Sequence, residues 1–159
     1  MPTVKLTTRV NAPVDRCFDL YRSVSLHVDS YKHAHERAVG PITSGLVGPG
    51  DVAAFRMRAL GFPYRMSVKV VAYDRPLHFR DSQTEGFFLR ADHDHYFAVE
   101  DGTTLVTDVF DYTPRFSWLG TLLDRLIVGR YVRWTIGQKN ANVKRVAEGG
   151  DWKRYLPAG

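Results

Sequence analysis

Residues 90–148 read RADHDHYFAVEDGTTLVTDVFDYTPRFSWLGTLLDRLIVGRYVRWTIGQKNANVKRVAE. Two alternating stretches meet at Glu100-Asp101-Gly102. After Pro114 the period changes: Trp118, Leu122, Leu126, Val132, Ile136, Val143 and Ala147 recur at helical spacing, which predicts one long amphipathic helix over about 116–148. Gly149-Gly150 ends it. Gly129 and Gly137 interrupt it at about 1 kcal/mol each relative to alanine, a cost that close approach to a sheet or a ligand would justify. A strand-rich sheet that finishes on a single long helix must wrap around that helix to bury its apolar face.

Upstream, the alternation continues. Ala53, Phe55, Met57 and Ala59 form one face of a strand, and Tyr64, Met66, Val68, Val70 and Ala72 a face of the next. Leu77, Phe79, Asp81 and Gln83 follow. Then Leu89, Ala91, His93, His95, Phe97 and Val99 share a face, with Asp92 and Asp94 on the other side, where solvation is the simplest expectation. Val106, Asp108, Phe110 and Tyr112 share a face of the last strand. The connections Gly61-Phe62, Asp74-Arg75-Pro76, Glu85-Gly86 and Glu100-Asp101-Gly102 are tight, so neighbouring strands are antiparallel and form a meander.

Before the meander, Val4, Leu6, Thr8 and Val10 alternate as a half-buried strand. Pro13 and Asp15 open a helix to about Ser23. A shorter helix over Leu26–Tyr31 and a strand near Arg37–Ile42 follow. Cys17 falls with Val14, Phe18 and Tyr21 on an apolar helix face, as a core thiol. The fold class expected is α+β: a curved antiparallel sheet of six to seven strands around a long C-terminal helix, in one domain over residues 1–150 with a tail over 151–159.

With 159 residues and 13% aromatics, the chain has enough material for a real core. One cysteine precludes an internal disulfide, and a reducing cytoplasm is the default. The N-terminus lacks the apolar stretch of a secretion signal, and no run approaches the ~18 apolar residues of a membrane span. The net charge of +5 is concentrated: residues 116–159 hold eight Lys and Arg against three Asp and Glu, while residues 1–115 hold fourteen of each. A solvated outer helix face accounts for this; contact with an anionic membrane surface is the alternative. Nucleic acid is not expected, because the basic residues lack interleaved exposed aromatics.

Several motifs carry a resemblance. Val10-Asn11-Ala12-Pro13 running into Cys17-Phe18 is similar to the opening of the first helix in the START-like superfamily (SRPBCC, the polyketide cyclase/dehydrase and lipid-transport proteins). Thr43-Ser44-Gly45-Leu46 with Gly50-Asp51, Arg75-Pro76-Leu77-His78-Phe79-Arg80-Asp81, and His93-Asp94-His95-Tyr96-Phe97 with Thr107-Asp108-Val109-Phe110 match its pattern, the last pair that of a bacterial subgroup. The resemblance covers residues 3 to about 148. It implies a helix-grip fold with a cavity between sheet and helix. It transfers no catalytic residue, since the superfamily includes carriers, aromatase/cyclases, receptors and chaperone regulators.

The expected cavity wall is Phe55, Met57, Met66, Val68, Phe79, Phe97, Leu122 and Leu126, with Asp81, His93 and His95 as its polar groups. Three readings of His93, His95, Asp81 and Asp108 compete: a satisfied structural network, polar anchors for a ligand, or acid–base or metal chemistry. One His-x-His with Asp81 as third ligand falls short of a closed metal site, so no metal and no cofactor is expected. His33 and His35 are read as surface residues. Strand directions gather Leu60, Phe62, Phe87, Phe88, Phe116 and Trp118 at one edge, as the mouth of the cavity or as ordinary core. The chain is thus expected to bind a small hydrophobic molecule, as a monomer or homodimer. A cyclase-like enzyme and a protein- or membrane-interaction module are the rivals.

Overall fold

The computed structural model describes residues 2–59, 61–115 and 127–157. The elements in chain order are β1 (Thr3–Val10), α1 (Val14–Arg22), α2 (Val24–Ser30), β2 (Arg37–Val39), β3 (Val52–Ala59), β4 (Phe62–Asp74), β5 (His78–Glu85), β6 (Arg90–Glu100), β7 (Thr103–Thr113) and α3 (Gly129–Glu148). The seven strands form one antiparallel sheet in the order β1-β7-β6-β5-β4-β3-β2. Strands two to seven are the meander, and β1 closes on β7 with Thr7 opposite Thr107.

Local chemistry sets the boundaries. Pro13 sits at the N-cap of α1, and Asp15 lies in the first turn, where the helix dipole favours a carboxylate. Ser23 ends α1 and caps α2, its hydroxyl accepting from the Leu26 N–H at 3.4 Å. The register of β4 shifts between Ser67 and Val68 and again between Val70 and Ala72. Such bulges bend a strand and increase its twist. The second also changes which residue meets the core. Alternation puts Ala72 on the inner face, but Tyr73 takes that place, its ring 5.4 Å from Phe18.

The concave face carries the core. Phe18 of α1 sits edge-on to Tyr73, Phe79 and Phe97. Val143, Val146 and Ala147 of α3 pack into the same cluster, with Trp152 and Tyr155 of the tail against it. The tail is further held by Tyr155, which donates to Asp29 at 2.7 Å, and by the Arg16 guanidinium over the Trp152 ring. Leu77, Leu89 and Val99, read as inward, are exposed. Leu77 and Leu89 stand just before β5 and β6, and Val99 near the end of β6. Among the described residues, Gly137 has no close neighbour where a Cβ would stand.

The convex face also departs from expectation. Asp92 and Asp94 point outward but are buried rather than solvated. Arg80 lies directly opposite Asp94 in the β5–β6 register. Its guanidinium donates to both carboxylate oxygens at 2.8 Å, while His78 Nε2 lies 2.7 Å from one of them. Asp92 accepts from Ser82 and from Arg90. No helix among the described residues is long and apolar enough to cross a membrane.

Phe18 is fully buried and touches three aromatic rings of the sheet, on β4, β5 and β6. Phe18→Ala is expected to cost about 3–5 kcal/mol in urea unfolding. A loss under about 1 kcal/mol would show that this cluster does not hold the helices to the sheet.

Candidate functional site

The register of β5, β6 and β7 assembles the polar constellation. Asp81 stands opposite His93, and His95 opposite Asp108, with all four side chains on the concave side. His95 Nδ1 lies 2.7 Å from Asp108 Oδ1, and its Nε2 lies 3.1 Å from Asp81 Oδ2. His93 Nε2 lies 3.1 Å from the same Asp108 oxygen. Asn140 of α3 completes the group, donating from Nδ2 to Asp108 Oδ2 at 2.6 Å and to Thr8 Oγ1 at 3.3 Å.

An ionised carboxylate only accepts, so each ring nitrogen facing one must carry a proton. His95 faces two and is therefore an imidazolium. Burial opposes that charge, but the hydrogen bonds to Asp108 and Asp81 outweigh it and raise the pKa. His93 goes the other way: burial, then repulsion by His95, lowers its pKa despite the bond to Asp108. It is the neutral partner, donating from Nε2 and leaving Nδ1 with no hydrogen bond among the described residues. Burial works against ionising Asp81 and Asp108 too, yet the histidine bonds prevail. They hold Asp81 down to about 2 and Asp108 well below the usual carboxylate range.

Beside this cluster lies a cavity of about 360 Å³ between the sheet and the helices. Ala53, Phe55, Met57, Met66, Val68, Val70, Phe79, Ala91, Phe110, Val132 and Ile136 form its apolar wall. Its polar lining includes Asp81, His93, Gln83, Tyr21, Tyr31, Glu36 and Lys139. At one end His27 stacks on Phe55, with its Nε2 3.0 Å from the buried Glu36 carboxylate. Phe62, Phe87 and Phe88 line the other edge. There Gln83 donates to the Phe88 carbonyl, and Arg115 donates to the carbonyls of Gly86 and Phe87.

Of the residues expected on the wall, Phe55, Met57, Met66, Val68, Phe79, Asp81 and His93 are there. Phe97 is not: it is core, against Phe18 and Tyr21. His95 and Asp108 are likewise fully buried behind the wall, hydrogen-bonded to Asp81 and His93. Leu60, Phe116, Trp118, Leu122 and Leu126 lie outside the described residues. His33 and His35 are exposed, but His33 also reaches the wall and meets the Trp134 ring at 4.6 Å. Cys17 is fully buried, and burial pushes its thiol up.

Lys139 is the site residue that the sequence reading misses. That reading gives the basic residues of the last helix to a solvated outer face, yet Lys139 is buried and lines the cavity. The signal is present: it stands three residues after Ile136 and four before Val143, on the apolar stripe. Glu36 and His27 leave no such trace, lying in segments without clear periodicity.

Asp81, His93 and His95 offer ligand atoms within 4.8 Å of one another, a set of two imidazoles and a carboxylate that could hold a metal ion. His95, however, already gives both nitrogens to carboxylates. A metal would have to displace one of its two ring protons, each held by a charge-assisted bond.

By sequence the chain matches no protein-family model and no curated protein. By structure the likeness is extensive. Protein TTHA0849 from Thermus thermophilus superposes with a TM-score of 0.69 at 20% identity, over 92% of this chain and 99% of that one. Ginseng major latex-like protein 151 from Panax ginseng gives 0.68 at 13%, over 93% and 98%. The di-domain ARO/CYC BexL of the BE-7585A biosynthetic pathway gives 0.71 at 18%, over 93% of this chain and 50% of that one. The chain has the same helix-grip fold as these structures.

The protonation pattern has a measurable sign. The raised pKa of His95 stabilises the fold fully below the ordinary histidine value of 6.5, and this is lost as pH rises through the folded value. The lowered Asp81 contributes fully above 3.8 and loses that contribution as pH falls toward about 2. The stability advantage of the wild type over His95→Gln should be greatest between about pH 4 and pH 6.5 and shrink above it. An advantage that grows with pH would mean that His95 is neutral in the fold.

Proposed function

We propose that the chain binds a small, largely apolar molecule in the cavity between sheet and helix, to carry or sense it. The observation that supports this is the cavity itself. It is walled mainly by aliphatic, methionine and aromatic side chains with a few inward polar groups, the usual composition of a small-molecule site. Phe62 and Phe87 are exposed at its edge, Phe62 by 76%, while Phe88 is half-buried on Tyr112. Phe62 and Phe87 are the mouth, and Phe88 is their footing.

Val68 lies on the wall, so Val68→Trp should fill the space. Mass spectrometry of protein purified under native conditions is expected to find a small molecule with the wild type and none with this variant. The fold should be retained. If the space is ordinary core, the indole overpacks it and costs about 1–3 kcal/mol instead.

A second reading, acid–base catalysis on an enolisable carbonyl as in a cyclase, draws on one specific feature. His93 is neutral, faces the cavity and is oriented by Asp108, the arrangement a general base requires. The resemblance to an ARO/CYC protein fits it. Turnover that His93→Gln abolishes while ligand affinity is unchanged would favour this reading; equal loss of both would assign His93 to binding.

A further inference from the structure

A buried ammonium without a direct partner among the described residues stands on the cavity wall. Lys139 is only 5% exposed, yet among the described residues its ammonium has no hydrogen bond and no carboxylate within ion-pair distance. Its nearest support is the face of the Tyr21 ring, 5.2 Å from Nζ to ring centre. A buried ammonium left in this way is expensive, and an uncompensated polar group aimed into a pocket points to a ligand. Burial holds its pKa below the usual lysine range, and the more distant Asp81, Asp108 and Glu36 offset that only in part.

The nearby carboxylates do not supply a direct partner, since among the described residues none lies within ion-pair distance of the ammonium. Asp108 accepts from His93, His95 and Asn140, and Asp81 from His95. Glu36 is at His27. The imidazolium of His95 balances one of the two strand carboxylates from behind. An incoming anion also meets the Asp81 and Glu36 side chains on this wall, so it must reach the ammonium directly to be held. Tyr21 adds a buried hydroxyl with no partner among the described residues.

We propose that the ligand is acidic: an apolar body carrying one carboxylate or comparable oxyanion, which pairs with Lys139 while the body lies against Phe55, Met66 and Val68. This rests on the binding reading above and adds the charge. A neutral ligand would leave the ammonium unpaired, whereas an anion supplies a charge-assisted bond in a dry site.

The test uses 2-naphthoate and its neutral counterpart 2-naphthylmethanol, titrated into the protein by calorimetry at pH 7. The wild type should bind the carboxylate at least about tenfold more tightly, the factor expected of one bond to a charged group. Lys139→Met, which keeps the length and apolar stem, should lose that preference while still binding the alcohol, and Lys139→Arg should keep it. Equal affinities in the wild type, or a preference that survives in Lys139→Met, would overturn the proposal while leaving the container intact. Binding of neither probe would overturn the container reading and this proposal with it. Should Lys139→Met not fold, the wild-type comparison and Lys139→Arg decide: a preference absent from either overturns the proposal.

Discussion

Asp108 is the point at which sheet, helix and cavity are tied together. It is buried to within 1% and spends its two oxygens on three donors: two histidines of β6 and the Asn140 amide of α3. A carboxylate placed so deep is tolerated only because those donors replace its water. Its position on β7 fixes the rest. His95 must be charged, His93 must turn its unprotonated nitrogen elsewhere, and α3 must lie at the rotation that brings Asn140 within 2.6 Å. The same rotation carries Lys139, one residue earlier, to the cavity wall. The polar cluster is thus both a structural pin and the reason the adjacent cavity has the polarity it has.

The fold is legible because two periodicities meet at Pro114, and neither a two-layer sandwich nor a bundle accommodates strands that end on one long helix. The histidine–aspartate cluster is legible for the same reason: residues two apart on a strand share a face, and Ala91 and Phe97 tell which face that is. What alternation cannot supply is anything dependent on a bulge, on depth, or on a partner. Tyr73 displaces Ala72 because an extra residue in β4 reverses the faces, and a pattern of strict period two is blind to that.

Burial is the harder matter. Phe97 shares the face of His93 but lies under α1, so it packs against Phe18 rather than lining space. Alternation puts Asp92 and Asp94 on the correct side and gives them the wrong surroundings. Whether an outward carboxylate is wet depends on what the neighbouring strand places beside it, here Arg80 and Ser82. Lys139 shows the converse bias: a cation on a basic helix is read as solvated by habit, even when its spacing puts it among Val132, Ile136 and Val143. The deeper wall residues Tyr21 and Glu36 come from the segment between β1 and β2, outside the strands themselves, and only their three-dimensional meeting makes them a site.

The charge on both faces of β6 has a consequence for how this sheet avoids mispairing. A strand with one greasy face and one wet face can slide by two residues against its neighbour and lose little. β6 cannot. Its aspartates must find Arg80 and Ser82 on one side, while its histidines must find Asp81 and Asp108 on the other. A displacement by a single position would turn both aspartates inward toward two existing carboxylates and strand the imidazoles outside. A displacement by two would leave Asp94 opposite Ser82 and break the guanidinium fork. This interior strand is therefore keyed to its neighbours twice over, by polar matches that hydrophobic collapse alone would not enforce.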